Sequence, residues 1–286
     1  NQAAAVEARP DGRIVIGGNV NHATLADIEQ FYDPDVEIPV HRQSFTVVQL
    51  LADGRRDRAF GVNGVASIKS VSPRATTDSE TRLADMALLR SGKIVLLGVD
   101  GRRRVVAFRL TKQGKLDRSF GRHGMTVLWR KESKTGDTFA DPGYVVSDAK
   151  DRVVVSARRE VCRRSGRCRA QWRYRRLAPD GRPDGAFGRS GQVVRTWATA
   201  GIDPPSIASD SNGRVLSAGS ARITGRAEAL NGVVLRLAEN GALDRTYGDA
   251  GLRALKLAAG DNLNSVTTMT RDSADRVVIA GSSCSV

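Results

Sequence analysis

The sequence predicts an all-β fold, a β-propeller of four-stranded antiparallel blades, on three observations. A turn of the form G-x-x-D-x-x-[FY]-G-x-x-G occurs four times, with its aspartates 60, 67 and 60 residues apart. Each period contains four short apolar runs, and no stretch has convincing helical periodicity. Four short strands in about sixty residues are typical of blades arranged around an axis. A β-solenoid is the alternative, but its repeats are usually shorter.

The repeated turn has an aspartate, an aromatic residue and a glycine at fixed positions. An Asp at the head of a turn can accept hydrogen bonds from backbone N–H groups two residues on, and glycine supplies positive φ. We expect each aromatic ring to pack between neighbouring blades. A calcium loop is the alternative, but one fixed Asp per turn supplies too few oxygen ligands. The turn residues are Asp57, Phe60, Gly61, Asp117, Phe120, Gly121, Asp184, Phe187, Gly188, Asp244, Tyr247 and Gly248.

The strands are predicted from short β-branched runs bounded by turn residues, such as Arg13 to Gly17 and Lys93 to Gly98. Each such run forms a hairpin with the apolar run before it, and two more runs flank the repeated turn. This gives eighteen strands, where five full blades need twenty. We therefore predict one domain over residues 1–286 with five visible blades, the first and last incomplete, in a piece of a longer protein or an imperfectly closed ring. The approximate blades are 1–60, 61–120, 121–187, 188–247 and 248–286.

Composition restricts the function classes. The chain has 286 residues, 40 % of them hydrophobic, so it can bury a substantial core. No run approaches the eighteen apolar residues of a membrane span, so no transmembrane segment is predicted. The net charge is +14, yet only 8 of the 45 basic residues are Lys. Such an arginine bias is also what a GC-rich genome produces, so the charge alone is weak support for a nucleic-acid partner.

Three elements recur in register along the chain. They are the pattern D-G-[KR]-[IV]-[VL]-x-x-G, an alternating strand that ends in Arg-Leu at 109–110, 176–177 and 236–237, and the turn G-x-L-D-x-x-F-G-x-x-G. In this alignment Arg56 and Pro183 replace the Leu before Asp, and Leu50 replaces the Arg before Leu51. The sequence resembles the delta-60 repeat, a bacterial β-propeller family of unknown function, over essentially its whole length. The resemblance implies a secreted, periplasmic or envelope-associated protein, and it supplies no catalytic residues.

One segment, Arg158 to Arg176, carries most of the positive charge. It has nine arginines and a single acid, Glu160, so its net charge is +8 and the remaining residues share +6. Guanidinium groups bind phosphate and carboxylate bidentately, which predicts a polyanionic ligand: lipopolysaccharide, acidic polysaccharide, an anionic lipid surface or nucleic acid. A solvated surface of an arginine-rich protein is the alternative. The candidate ligand-binding residues are Arg158, Arg159, Arg163, Arg164, Arg167, Arg169, Arg173 and Arg175.

Trp172 and Tyr174 alternate with arginines in this segment. Aromatic and arginine side chains together can stack on bases or sugars. The alternative is that a strand period of two turns both aromatic side chains to the core and leaves Arg173 and Arg175 in water.

Cys162 and Cys168 flank a five-residue loop that contains glycine, which is a permitted hairpin length. The hairpin places them opposite each other, so we predict a disulfide in an oxidising compartment. A zinc site is the alternative, but two thiols leave it two ligands short. Cys284 is then left over.

The segment Asn19 to Ser44 interrupts the first repeat. It holds five acids, Asp27, Glu29, Asp33, Asp35 and Glu37, together with His22 and His41. These spacings match no standard metal-ligand set, so a solvated loop is the favoured interpretation and a binding loop the second.

The sequence contains no nucleophile elbow, P-loop, H-E-x-x-H or dinucleotide fingerprint. His123 occupies a position of the repeated turn. The sequence therefore predicts no catalytic, cofactor or metal residues. We expect a non-catalytic binding or scaffold module of the bacterial envelope or secreted fraction; the alternative is a propeller hydrolase or lyase with its site in the central channel.

Overall fold

The protein is all-β. The computed structural model describes residues 2–21, 43–69, 81–102, 104–130, 141–162, 168–197, 205–221, 231–255, 265–272 and 274–282. These residues form eighteen strands and no helix, and they contain no helical segment that could cross a membrane. The strands are β1 (Gln2–Ala8), β2 (Ile14–Asn21), β3 (Gln43–Leu50), β4 (Val65–Lys69), β5 (Arg82–Leu88), β6 (Ile94–Val99), β7 (Arg104–Leu110), β8 (Met125–Arg130), β9 (Asp141–Ser147), β10 (Val153–Cys162), β11 (Cys168–Leu177), β12 (Gln192–Trp197), β13 (Ser206–Ser209), β14 (Val215–Ala221), β15 (Asn231–Leu237), β16 (Leu252–Leu255), β17 (Ser265–Arg271) and β18 (Val277–Ser282).

Consecutive strands pair in four antiparallel sheets of four strands each, β1–β4, β5–β8, β9–β12 and β13–β16. Among the described residues, β17 and β18 form a two-stranded sheet. The chain divides into two compact units, residues 1–130 and 131–286. The first unit contains two of the four-stranded sheets, and the second contains the other two and the β17–β18 hairpin.

The predicted grouping of strands into blades is wrong at its boundaries. The predicted first blade ends at residue 60, whereas β4 pairs with β3 in the same sheet. The repeated turn holds these two strands together: the Asp57 N–H donates to the Gln49 carbonyl at 2.9 Å, and the Gln49 N–H donates to the Gly64 carbonyl at 3.1 Å. As a result the first sheet has all four strands, and two described strands remain for the last.

Each sheet has two distinct ends, because successive antiparallel strands reverse direction. The turns between first and second strands and between third and fourth strands lie at one end, which we call the turn end. The connections after the second and the fourth strand leave from the other, the loop end. All copies of the repeated turn lie at the turn end. The loop-end connections account for the gaps at 22–42, 70–80, 131–140, 163–167, 198–204, 222–230 and 256–264.

Most of the acidic insertion lies outside the described residues. Residues 22–42, which include Asp27, Glu29, Asp33, Asp35 and Glu37 as well as His22 and His41, belong to the connection between β2 and β3. The proposed roles of this segment remain predictions.

An arginine of the third strand is buried against the repeated turn. In the β9–β12 sheet, Arg176 Nε lies 2.7 Å from Asp184 Oδ2, and its guanidinium carbon lies 4.7 Å from the centre of the Phe187 ring. Asp184 Oδ1 accepts the N–H of the residue two positions on, at 3.0 Å. The same three groups recur in two other sheets as Arg109, Asp117 and Phe120 and as Arg236, Asp244 and Tyr247.

The first sheet has a glutamine at this position, which corrects the predicted alignment. Ile14 pairs with Leu50 as Ile94 pairs with Leu110, so the residue that replaces the arginine is Gln49 and not Leu50. Gln49 Nε2 donates to Asp57 Oδ2 at 2.7 Å, and Gln49 Oε1 accepts from Arg9 Nε at 2.7 Å. The positive charge next to this aspartate comes instead from the first hairpin turn.

The aromatic residue of the turn packs against the following sheet of the same unit. A Cβ atom on Gly114 would approach the Phe60 ring to 2.8 Å, and the Gly61 N–H donates to the Gln113 carbonyl at 2.8 Å. In the second unit Gly188 and Asn240 make the equivalent backbone bond. In each unit, the fixed glycine of the second G-x-x-D element, Gly114 or Gly241, is therefore the surface on which the preceding turn packs.

A second aromatic–glycine contact lies deeper between the sheets. Phe45 on β3 packs against Gly98 on β6, and Trp172 on β11 packs against Gly219 on β14. Both aromatic side chains are buried, and each belongs to a core cluster that joins two sheets. Glycine is needed here because a side chain would occupy the space of the ring.

Replacement of Gly219 tests this packing. A Cβ atom there would lie 2.7 Å from Trp172 Cζ2, so Gly219→Ala should lower the free energy of unfolding by about 1–3 kcal/mol. Gly185 is the control, since a Cβ atom at that position meets nothing within 4 Å. Chemical denaturation of both variants measures the difference; equal effects at 219 and 185 would contradict the packing.

Replacement of Asp117 tests the buried pair. Burial by itself raises the pKa of Asp117, but hydrogen bonds from Ser119 and Lys93 outweigh it and hold the pKa well below its ordinary value. Asp117→Asn leaves the buried Arg109 without its carboxylate and should cost about 2–4 kcal/mol of unfolding free energy at pH 7.

The pH dependence follows from the sign of the shift. A carboxylate whose pKa is lower in the folded than in the unfolded state stabilises the fold at pH values above its unfolded pKa, which is about 3.9 for Asp. This contribution is lost as the pH falls toward the folded pKa. The difference in unfolding free energy between the wild type and Asp117→Asn, measured by urea denaturation, should therefore become smaller below pH 4. Asp53→Asn, in the exposed pair with Arg55, is the control and should change unfolding little.

Candidate functional site

The hairpin of β10 and β11 is the longest in the described structure. Each strand has ten residues, whereas the strands at the same place in the other sheets have six to eight. Ten pairs join them, from Val153 with Leu177 to Cys162 with Cys168. The neighbouring strands pair only as far as Arg158 on β10 and Ala170 on β11. Residues 159–162 and 168–169, which we call the hairpin tip, therefore extend past the rest of the sheet at its loop end.

A disulfide joins Cys162 to Cys168 across the last pair of this ladder. With both sulfurs in this bond, the pair has no thiolate to offer zinc. The described residues contain no group of three or more His, Cys, Asp or Glu side chains that could hold a metal ion. Cys284 lies outside the described residues.

The register distributes the candidate arginines over both faces of the hairpin. Residues that pair across an antiparallel ladder share a face, and the face alternates along each strand. Arg159, Arg169, Arg173 and Arg175 lie on one face, which we call the arginine face; Arg158 lies on the other. Arg163, Arg164 and Arg167 lie outside the described residues.

The two faces differ in charge. The cross-strand partners on the arginine face are apolar or neutral polar residues, among them Val161, Gln171 and Ala157. On the opposite face Arg158 pairs with Asp141 on β9 and with Trp172, and Trp172 pairs with Arg195 on β12. Glu160 is also on that face. Two carboxylates thus accompany three arginines, Arg158, Arg176 and Arg195, on one face, whereas the described ladder places four arginines and no carboxylate on the other.

Exposure varies along the arginine face. Arg169 is exposed and Arg159 is partly buried, both within the hairpin tip. Arg175 lies nearer the turn end, where its Nη2 donates to Gln192 Oε1 at 2.9 Å and burial lowers the pKa of its guanidinium group. The tip arginines are the ones best placed to meet a large ligand.

Trp172 and Tyr174 are core residues, as the strand period of two predicts, so they are not available to stack on bases or sugars. The same interpretation left Arg173 and Arg175 in water, whereas both are partly buried. Both are fully buried. Tyr174 Oη lies 2.7 Å from Ser217 Oγ in the next sheet, and burial raises the pKa of the phenol. The Trp172 and Trp197 rings lie 4.8 Å apart at 58°. The strand period of two turns these side chains toward the neighbouring sheet.

Arg176, the ninth arginine of the segment, belongs to the fold. It is 1 % exposed, and besides its pair with Asp184 its Nη1 donates to the Glu239 carbonyl. The Arg-Leu pattern of the sequence makes it equivalent to Arg109 and Arg236. Arg176 therefore has a structural role, unlike the arginines of the hairpin tip.

Sequence reasoning missed two groups near the hairpin, Asp141 and Arg195. Each lies on a different strand from the arginine segment, and pairing brings it opposite a residue of that segment. The sequence has no local signal for this contact, because it depends on the register of β9 and β12.

Comparison with known proteins gives distant structural similarities. The sequence matches no protein-family model and no curated protein. A polysaccharide lyase, the PL25 ulvan lyase, is 13 % identical, with a TM-score of 0.42 over 87 % of this chain and 56 % of the lyase. A gluconolactonase from Xanthomonas campestris is 13 % identical, with a TM-score of 0.39 over 84 % of this chain and 65 % of that one.

An α-L-arabinofuranosidase from Clostridium thermocellum is 10 % identical, with a TM-score of 0.40 over 95 % of this chain and 79 % of the enzyme. The chain thus spans just over half of the lyase and about two thirds of the lactonase. Similarity at this level does not assign an activity.

Removal of the disulfide tests how the tip is held. In Cys162→Ser/Cys168→Ser, amide hydrogen exchange should accelerate in residues 159–162 and 168–169, since cross-strand pairing alone then holds them. The global unfolding free energy should fall by no more than about 2 kcal/mol, the loop-entropy value for so short a loop. Under denaturing, non-reducing conditions the wild type should show one reactive thiol, and three would contradict the disulfide.

Proposed function

We propose that this chain is a β-propeller binding module of the bacterial envelope or secreted fraction and that it binds a polyanionic ligand at the hairpin tip. The propeller assignment is supported by the repeated four-stranded sheets and by the packing of first strands within each unit, β1 beside β5 and β9 beside β13. The envelope or secreted location is supported by the disulfide, a bond that persists in oxidising compartments.

The segregation of charge carries the binding proposal. Four arginines and no carboxylate share the described arginine face, although acids lie within pairing distance on the opposite face. Like charges at this density repel one another within a Debye length of about 8 Å, so an anion on this face relieves repulsion. A surface with general arginine bias would carry its acids and bases on both faces.

The spacing of the arginines suits a polymer of charges. Arg173 and Arg175 are two residues apart on β11, which corresponds to about 7 Å along a strand, and Arg169 lies about 13 Å from Arg173 on the same face. A linear array of phosphate, sulfate or carboxylate groups can meet such a row at several points, and each guanidinium can bind one group bidentately. The ligand class is a chain or surface of closely spaced anions.

The tip arginines provide the test. Arg159→Ser/Arg169→Ser should elute from heparin and from immobilised lipopolysaccharide at lower salt than the wild type, with about tenfold weaker binding and a salt slope reduced by roughly 2. The matched control is Arg58→Ser/Arg118→Ser, which removes two exposed arginines at the turn end. Equal elution of the two variants would exclude the tip as the contact region.

The enzyme alternative, a hydrolase or lyase in the central channel, is tested on the same preparations. Acidic polysaccharides incubated with the wild type would be shortened by an enzyme and retain their length with a binding module. Size-exclusion chromatography of the polysaccharide gives the answer independently of the salt gradient.

A further inference from the structure

The β17–β18 hairpin is built like the first half of the other sheets. Asp272 Oδ1 accepts the N–H groups of Ala274 and Arg276, both at 2.9 Å, as the aspartates of the β9–β10 and β13–β14 turns do in their own turns. The hairpin packs on the β13–β16 sheet, where Val266 and Met269 are buried. It is therefore a folded and docked part of the second unit.

The strand β18 has an open edge. Within the described part of the chain it pairs with β17, whereas the second strand of every other sheet also pairs with a third strand. Val277 and Ile279 pack against the β13–β16 sheet but remain partly exposed. The residues at the same two positions in the other unit-2 sheets, Val153 and Val155 on β10 and Val215 and Ser217 on β14, are all 0 % exposed.

The residue between them shows the same contrast. Val278 is 57 % exposed, whereas Val154 and Leu216 at the same position are 2 % and 4 % exposed. Each of the latter lies opposite the arginine of a third strand, Arg176 or Arg236, and Leu216 also packs with β17. An arginine stem covers apolar surface while its head remains polar.

The register of the other sheets indicates what fits this edge. The first residue of the second strand pairs with the Leu of Arg-Leu in three sheets, as Val215 does with Leu237, and with the Leu of Gln49-Leu50 in the first. The chain has four repeated turns, and each already joins the third and fourth strands of a sheet. The sequence contains no fifth copy of this turn.

We propose that the edge of β18 binds a strand of the same repeat type, an alternating apolar strand that ends in Arg-Leu and continues into the G-x-x-D turn, supplied by a polypeptide segment outside these 286 residues. Its Leu lies opposite Val277 and its Arg opposite Val278, and backbone hydrogen bonds along Val277–Ser282 provide the affinity. This docking is independent of the polyanion site.

A synthetic peptide with the sequence of residues 231–255, which comprises β15, its turn and β16, serves as the probe. It should bind the full chain saturably in fluorescence anisotropy and slow amide exchange in residues 277–282. A scrambled peptide and a peptide N-methylated at Val233 and Leu235 should bind at least tenfold more weakly, because the second cannot donate the same backbone hydrogen bonds.

A charge pair tests the register. Val278→Lys places a cation opposite the peptide's arginine and Val278→Glu an anion, so the Lys variant should bind the peptide about fivefold more weakly than the Glu variant. Val62, which is 78 % exposed in the first repeated turn, is the matched site, and its Lys and Glu variants should bind equally.

Three results would overturn the proposal: no saturable binding, equal binding of the scrambled peptide, or exchange protection elsewhere in the chain. Protection of residues 277–282 that grows with protein concentration in the absence of peptide would also overturn it, since a second copy of the chain would then cover the edge.

Discussion

In three of the four-stranded sheets the repeat depends on an ion pair between the third-strand arginine and the turn aspartate, and in the first sheet Gln49 takes the place of the arginine. One carboxylate oxygen accepts a backbone N–H of the turn and the other binds the guanidinium. In the third sheet, Asp184 Oδ2 lies 2.7 Å from Arg176 Nε. The guanidinium covers the aromatic ring of the turn, as Arg176 does with Phe187, and the Phe187 ring packs on Gly241 of the next sheet. A buried charge is tolerated because its partner and its hydrogen bonds are complete, so each member fixes the others.

The cation of the short hairpin turn pairs with a different carboxylate in each unit. In the first unit the cation of the short hairpin turn reaches the aspartate of the repeated turn: Arg13 lies 3.1 Å from Asp57, and Lys93 lies 2.9 Å from Asp117. In the second unit the hairpin turn has its own aspartate, and Arg152 pairs with Asp148 at 2.6 Å. The same arrangement recurs at Asp210 and Asp272. The carboxylate that pairs with the hairpin-turn cation therefore differs between the two units.

This constraint separates the two ends of each sheet. At the turn end, ion pairs, glycines and aromatic rings specify almost every position, and the sequence repeats. At the loop end no such network is needed to join the strands, so length and composition are free to vary. The long β10–β11 hairpin shows this variation. At the turn end it keeps the repeat, with Arg176 in the buried pair, and at the loop end it carries the disulfide and the arginines of the tip.

Local chemistry made much of the protein predictable from sequence. The period of the turn, the short strands and the all-β class follow from residue patterns that act within a few positions. The pairing of Cys162 with Cys168 is of the same kind, because a short hairpin loop leaves little choice of register. The predicted alignment placed Leu50 at the arginine position of the Arg-Leu pattern, and the pairing of β2 with β3 places Gln49 there instead.

Other properties depended on which strands become neighbours. Cross-strand register divides the arginines between two faces and places acids on only one of them. Packing between sheets buries Trp172 against Gly219. The open edge of β18 has the same origin. Val278 and Leu216 are apolar residues at the same position of their repeats, but Val278 is exposed because no described third strand lies beside it. The sequence by itself determined the repeating unit, because turns and strands are set by near neighbours. The tertiary structure decided which charges and which edges are available to a ligand, because exposure is a property of contacts between residues far apart in the chain.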